Sequence, residues 1–288
     1  MATLAHKSII LGSVAAGPFA NFGNQLIERA TLDALGLPPD TPRFSVFEPM
    51  TEALASYINQ YELVVFTGCT ILQGSAGHQC FFNDHCAEIR IPKLLCAGAF
   101  CCQPDDAPGD QLARWFDPPL AARDPWTSAY LSRIGIGNVL VGCPTLLAPS
   151  EAADNGGEAS EWTLFSSTPQ IQLPPDLLPT LHPIRYVRHE PADEGTDVTS
   201  PDLFQDVRMT VTGRLHLALP SIARGIPVRF FGPEHWVDPK VRNAAGPTRL
   251  SLLEYLGVSL SGELSTIRSL GNVQGLHAAF DSWKRYFF

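Results

Sequence analysis

The sequence predicts an α/β protein made of two halves, each a parallel sheet with helices on both faces, the second half shortened. Three observations carry this. Short apolar runs alternate with amphipathic stretches along both halves. A small, polar, acidic segment, APSEAADNGGEASE at 148–161, interrupts that alternation and reads as a linker. Hydrophobic residues make up 45% of 288 residues against 17% charged, enough for a sizeable core. The expected boundaries are 1–148, 149–262 and a helical tail at 263–288.

In the first half, 8–11 reads as a buried strand. Residues 24–35 follow with Leu26, Ile27, Ala30 and Ala34 at helical spacing. Strands are expected at 44–47, 63–67, 93–97, 118–122 and 139–142, with helices at 50–57, 81–90 and 124–134. In the second half, 162–166, 184–188, 208–211 and 227–231 read as strands. Residues 174–181, the stretch after Gly213 and 251–256 carry the intervening elements, and 189–202 reads as a loop. The tail carries Phe280, Trp283, Tyr286, Phe287 and Phe288, an apolar load that must dock, with the first half as the expected seat.

A net charge of −9 argues against a general nucleic-acid binder, because phosphate-backbone affinity rests on Lys/Arg patches. It leaves room for a small anion held by two or three local cations. The seven cysteines are odd in number and all lie in the first half. With no signal-peptide pattern and no run long enough for a membrane span, the expectation is a reduced, cytoplasmic protein. HQCFFNDHC at 78–86 offers soft ligands, but its spacing matches no common zinc pattern, so no metal is expected.

The glycines of the first turn, Gly12, Gly17 and Gly23, are too widely spaced for a dinucleotide fingerprint. Asn24 is a candidate N-cap. In the functional reading, Asn21, Asn24 and Gln25 present amides to a polyhydroxyl ligand. Thr67 and Gly68 open TGCTILQG, a turn permissive enough for close ligand approach. Asp124, followed by Pro125, reads as an N-cap.

VTGRLHLALPSIARGIPV at 211–228 is the most informative stretch. Leu215, Leu219 and Ile222 share one buried helical face. Gly213, Arg214 and His216 precede or open that helix, where backbone N–H groups and the macrodipole already favour an anion. Arg214 adds to that field, and His216 exchanges protons near neutral pH. Pro220 lacks an N–H and must fall in the first turn or kink the helix. Lys240, in WVDPKV, is a second cation expected at the cleft.

Together these pieces resemble the polysaccharide pyruvyl transferase family. The matching pieces are the Asn21–Leu26 turn, YELVVFTGCTILQG, RIPKLLCAGAF, ARDPWTSAYLSRIGIGNVLVGCPTL, TGRLH with its helix and GIPV strand, WVDPKV and LLEYLGV, in that order across 8–257. The resemblance implies two Rossmann-like domains in a GT-B-like arrangement, acceptor side first and donor side second. It also implies transfer of a pyruvyl group from phosphoenolpyruvate, as co-substrate and without a cofactor, to a carbohydrate-like acceptor. By the same analogy Arg214 and His216 hold the donor's anionic groups and Lys240 assists at the phosphate. The family's common Asp after Asn-x-Gly is Asn24 here, and its Gly-rich run after the third strand is TGCT. A nucleotide-sugar glycosyltransferase and a non-catalytic sugar-binding or scaffold protein are the rival readings.

Overall fold

The computed structural model describes residues 8–15, 21–46, 48–68, 83–98, 109–147, 161–166, 170–190, 194–239, 247–265 and 270–288. The expected linker at 148–161 and the residues of 78–86 up to Phe82 lie almost wholly or wholly outside them, as does Lys240.

The first half is a parallel sheet of order β2-β1-β3-β4 (Arg43–Ser45, Ile9–Ser13, Leu63–Thr67, Lys93–Cys96). A parallel bridge between Gly98 and Ala122 continues it into the β5-β6 pair, Leu120–Ala122 and Asn138–Leu140. The central strands are apolar on both faces, as strands covered on both sides must be. Ile10, Val64, Phe66 and Leu95 pack with Met50, Trp115 and Phe116 on one face. Ile9, Leu11, Val65 and Leu94 pack on the other with Leu32 and Leu35 of helix α1 (Phe22–Leu35). Helices α2 (Glu52–Ile58), α3 (Gly109–Trp115) and α4 (Pro125–Arg133) complete this half. The expected helix at 81–90 is a 3-10 helix, Asp84–Glu88, among the described residues.

The second sheet is also parallel, in order β11-β10-β7-β8-β9: Val228–Phe230, Val207–Thr212, Trp162–Phe165, Ile184–Arg188 and Thr196–Asp197. Helix α5 (Leu215–Ala223) covers one face, where Leu164, Val187, Val207 and Leu217 meet. The opposite face is covered differently. Among the described residues, the β7–β8 crossover holds a 3-10 helix, Leu178–Leu181, and no α-helix. Two arginines tie the irregular segments down. Arg208 Nη2 donates to the carbonyls of Thr180 (2.6 Å) and His182 (2.9 Å). Arg185 Nη1 donates to those of Asp202, Leu203 and Gln205. Charge-assisted bonds thus satisfy carbonyls that a helix would have satisfied internally. The 189–202 stretch read as loop contributes the short edge strand β9.

The halves share one core. Ile27 of α1, Cys143 and Leu146 pack with Ala218, Leu219 and Ile222 of α5 and with Leu252 and Leu253 of helix α6 (Pro247–Tyr255). Phe22 and Leu26 pack on the second sheet's cluster. Helix α1 is therefore wedged between the halves, and its start is positioned by both. The tail helix α7 (Leu270–Lys284) begins later than 263 and lies back across the first half. Trp283 is fully buried and its indole N–H donates to the Pro119 carbonyl at 2.7 Å, while Lys284 Nζ reaches the Ala34 carbonyl. Among the described residues no helix is long and apolar enough to cross a membrane, and no three potential ligands cluster for a metal ion.

Candidate functional site

In parallel α/β sheets, ligands gather outside the carboxyl ends of the strands, where the strand order reverses. In the first sheet that reversal lies at β1 and β3; in the second it lies at β7 and β10. Chain segments leaving the two sheets at these ends meet. The Phe22 N–H, the first residue of α1, donates to the carbonyl of His189, the residue after β8, at 2.9 Å.

Asn21 caps α1: it is extended (φ −116°, ψ 166°) and its side chain accepts from the Asn24 N–H at 2.9 Å. This corrects Asn24 as the cap. The helix starts earlier because Phe22 is drawn into the second half's core. Asn24 Nδ2 instead donates to the Val14 carbonyl at 3.4 Å, and Gln25 is exposed.

Gly23 is buried two residues after the cap, and the imidazole of His216 rests against it. A Cβ added there would lie 2.6 Å from His216 Nδ1 and 3.1 Å from Asn21 Oδ1. Only glycine lets the two helix starts approach this closely. Gly23→Ala is expected to destabilise the fold by about 1–3 kcal/mol through overpacking. His216→Ala should relieve most of that cost in the double variant, measured by chemical denaturation of all four proteins; strict additivity would contradict the contact.

Helix α5 starts at Leu215, directly after Arg214, and runs through Pro220 to Ala223. Pro220 thus lies inside the helix, beyond the first turn. Ser221 Oγ donates to the Leu217 carbonyl and Arg224 Nη1 to that of Pro220. Arg214 occupies the N-cap position with no side-chain cap bond of its own, and its N–H donates to the buried hydroxyl of Thr212 at 2.9 Å. Gly213 is packed under Trp236: a Cβ there would meet the indole Nε1 at 2.9 Å. A cation at a helix N-terminus opposes the macrodipole, at a cost of about 0.3–1 kcal/mol. Here Glu190 offsets it: Arg214 Nη2 donates to Glu190 Oε1 at 3.4 Å, across a half-exposed pair.

Sequence reasoning missed the β8 exit, Arg188-His189-Glu190. Arg188 lies over the Phe22 ring, 5.4 Å from its centroid, and its buried Nε has no hydrogen-bond partner among the described residues. His189 is 2% exposed. Burial first, then the charges of Arg214 and His216, push its pKa down from 6.5 to about 3. The available signal was a three-residue run of ionisable groups leaving a strand, YVRHEP.

That depressed pKa has a definite pH consequence. In the unfolded chain the imidazole binds a proton below pH 6.5; in the folded chain it does not until about pH 3. Its contribution is therefore complete above pH 6.5 and lost as pH falls toward 3, up to about 5 kcal/mol as a ceiling. His189→Gln is expected to flatten the fall of melting temperature between pH 6.5 and 4. Equal slopes in variant and parent would contradict this.

Of the remaining expected residues, Thr67 is withdrawn. It is fully buried and its hydroxyl is 2.6 Å from that of Thr31, so it joins β3 to α1 instead of facing a ligand. Gly68 turns the chain at φ +125° beside Val14. Asp124 caps α4, accepting from the Thr127 N–H at 2.8 Å, and its Oδ1 accepts from Ser251 Oγ of α6 at 3.3 Å. Burial pushes its carboxyl pKa up, opposed by Arg123 beside it.

No family model matches this chain, and no curated protein does. Among solved structures, an uncharacterized protein of Klebsiella pneumoniae subsp. pneumoniae NTUH-K2044 is 11% identical over 86% of this chain and 87% of that one, with a TM-score of 0.47. The UDP-GlcNAc 2-epimerase of Methanocaldococcus jannaschii is 12% identical over 96% and 98%, with a TM-score of 0.45.

Proposed function

We propose that the protein is an enzyme that transfers a pyruvyl group from phosphoenolpyruvate to a polyhydroxyl acceptor, forming a ketal and releasing phosphate, on two Rossmann-like halves arranged as in GT-B proteins. The supporting observation is the gathering of two arginines and an imidazole where both sheets end. Arg188, Arg214 and His216 gather at the starts of α1 and α5 in a chain whose net charge is −9. Such a seat suits a small ligand carrying both phosphate and carboxylate.

The chemistry asks for little more. A proton adds to C3 of the enol phosphate, leaving an oxocarbenium-like C2. One acceptor hydroxyl adds there and yields its proton; the C2–O bond to phosphate breaks; a second hydroxyl closes the ketal, its proton leaving with phosphate. Arg214 holds the donor's anionic groups and steadies charge on the leaving phosphate. His216, packed against Gly23, exchanges the proton. Lys240 joins the phosphate site by the family resemblance alone. Asn21, Asn24 and Gln25 supply amides on the acceptor side.

A non-catalytic sugar- or anion-binding protein is the second reading. It is favoured by one observation: the first turn of α1 contains no acid, so no carboxylate base stands at that turn. Incubation with phosphoenolpyruvate and a panel of sugars, following phosphate release, separates the two. Acceptor-dependent release supports the transferase; binding of phosphoenolpyruvate without release with any acceptor supports the second reading.

A further inference from the structure

We infer that Glu190 is an internal competitor for the anion seat: its carboxylate sits on Arg214 when the site is empty, and the ligand's anionic group takes its place. This rests on the phosphoenolpyruvate reading of the same site.

Three observations carry it. Arg214 Nη2 donates to Glu190 Oε1 at 3.4 Å, so the guanidinium at the start of α5 already holds a carboxylate. The Glu190 side chain is 51% exposed against 29% for Arg214. The acid can therefore leave for water by rotating its own side chain, while the arginine stays in place at the start of α5. Finally, the carboxylate does not exhaust the local positive field. Arg188 has a buried Nε with no hydrogen-bond partner among the described residues, and Arg214 and His216 still disfavour a charge on His189. A phosphate or carboxylate replacing Glu190 would add to the pair with Arg214 the pull of the Arg188 guanidinium beside the start of α1. Glu190 thus sets the affinity threshold: a ligand binds only as far as it outcompetes a built-in carboxylate at the same guanidinium.

The test is calorimetric titration of inorganic phosphate and of phosphoenolpyruvate into the parent, Glu190→Gln, Arg214→Ala and the double variant. Glu190→Gln is expected to lower both dissociation constants about 2–5-fold, the range of a half-exposed ion pair. In the Arg214→Ala background the same change should give no gain. Unchanged or weaker binding by Glu190→Gln, with the parent binding through Arg214, overturns the exchange and leaves the donor-site reading standing. A gain that persists without Arg214 also overturns it, since Glu190 would then act by through-space repulsion. Equal binding, or none, by parent and Arg214→Ala removes the donor-site reading and this inference with it.

Discussion

Replacing Arg214 by alanine is expected to lower phosphoenolpyruvate-dependent phosphate release by about 10²–10³-fold, the scale of one lost charge-stabilising donor. The fold should survive. The side chain is 29% exposed, provides no cap bond to α5 and pairs with a half-exposed acid, so its removal should cost about 1 kcal/mol. His216→Ala should cost about 10²–10⁴-fold if it moves a proton in the rate-limiting step. Its pH–rate profile should also lose one limb, which a merely structural change would not do. Wild-type rates in both variants would remove the helix start from the reacting centre.

The second large effect is on stability. Trp283→Ala is expected to destabilise the protein by about 3–5 kcal/mol. The indole is fully buried among Leu35, Leu94, Phe280 and Phe287, and its N–H is held by the Pro119 carbonyl. Truncation leaves a cavity and an acceptor without its donor. The tail would then hold the first sheet less firmly, although the site at the strand ends is built from other elements. Chemical denaturation measures the loss, and phosphate affinity of the folded variant should stay at the parent value. A loss below about 1 kcal/mol would mean that the tail is not part of the core.

Strands β1, β3 and β4 were legible because they are buried on both faces. IILG, LVVF and LLCA are continuous apolar runs with no competing reading. The tail's need to dock was legible from its aromatic load. The stretches around 84–88 and 174–181 were not. Asp84–Glu88 and Leu178–Leu181 are 3-10 helices, and periodicity over so few residues separates them poorly from α-helix. Asn21 and Asn24 are equally good caps by composition; the choice between them was made by Phe22 packing on the second sheet, a tertiary contact. The same holds for the site. Arg214 and His216 stood out because a cation and an imidazole open an apolar helix. His189 and Glu190 looked like ordinary loop residues, and Thr67 like a ligand-facing turn. Burial separated His189 and Thr67 from that reading, and burial is set by tertiary packing.

The central claim is that the meeting point of α1 and α5 binds phosphoenolpyruvate through Arg214. Titrating phosphoenolpyruvate into the wild type and into folded Arg214→Ala tests it directly. The account predicts saturable binding by the wild type and an affinity at least about 10-fold weaker in the variant, as for a lost charge-assisted pair. Equal affinities, or no binding by the wild type, would contradict it.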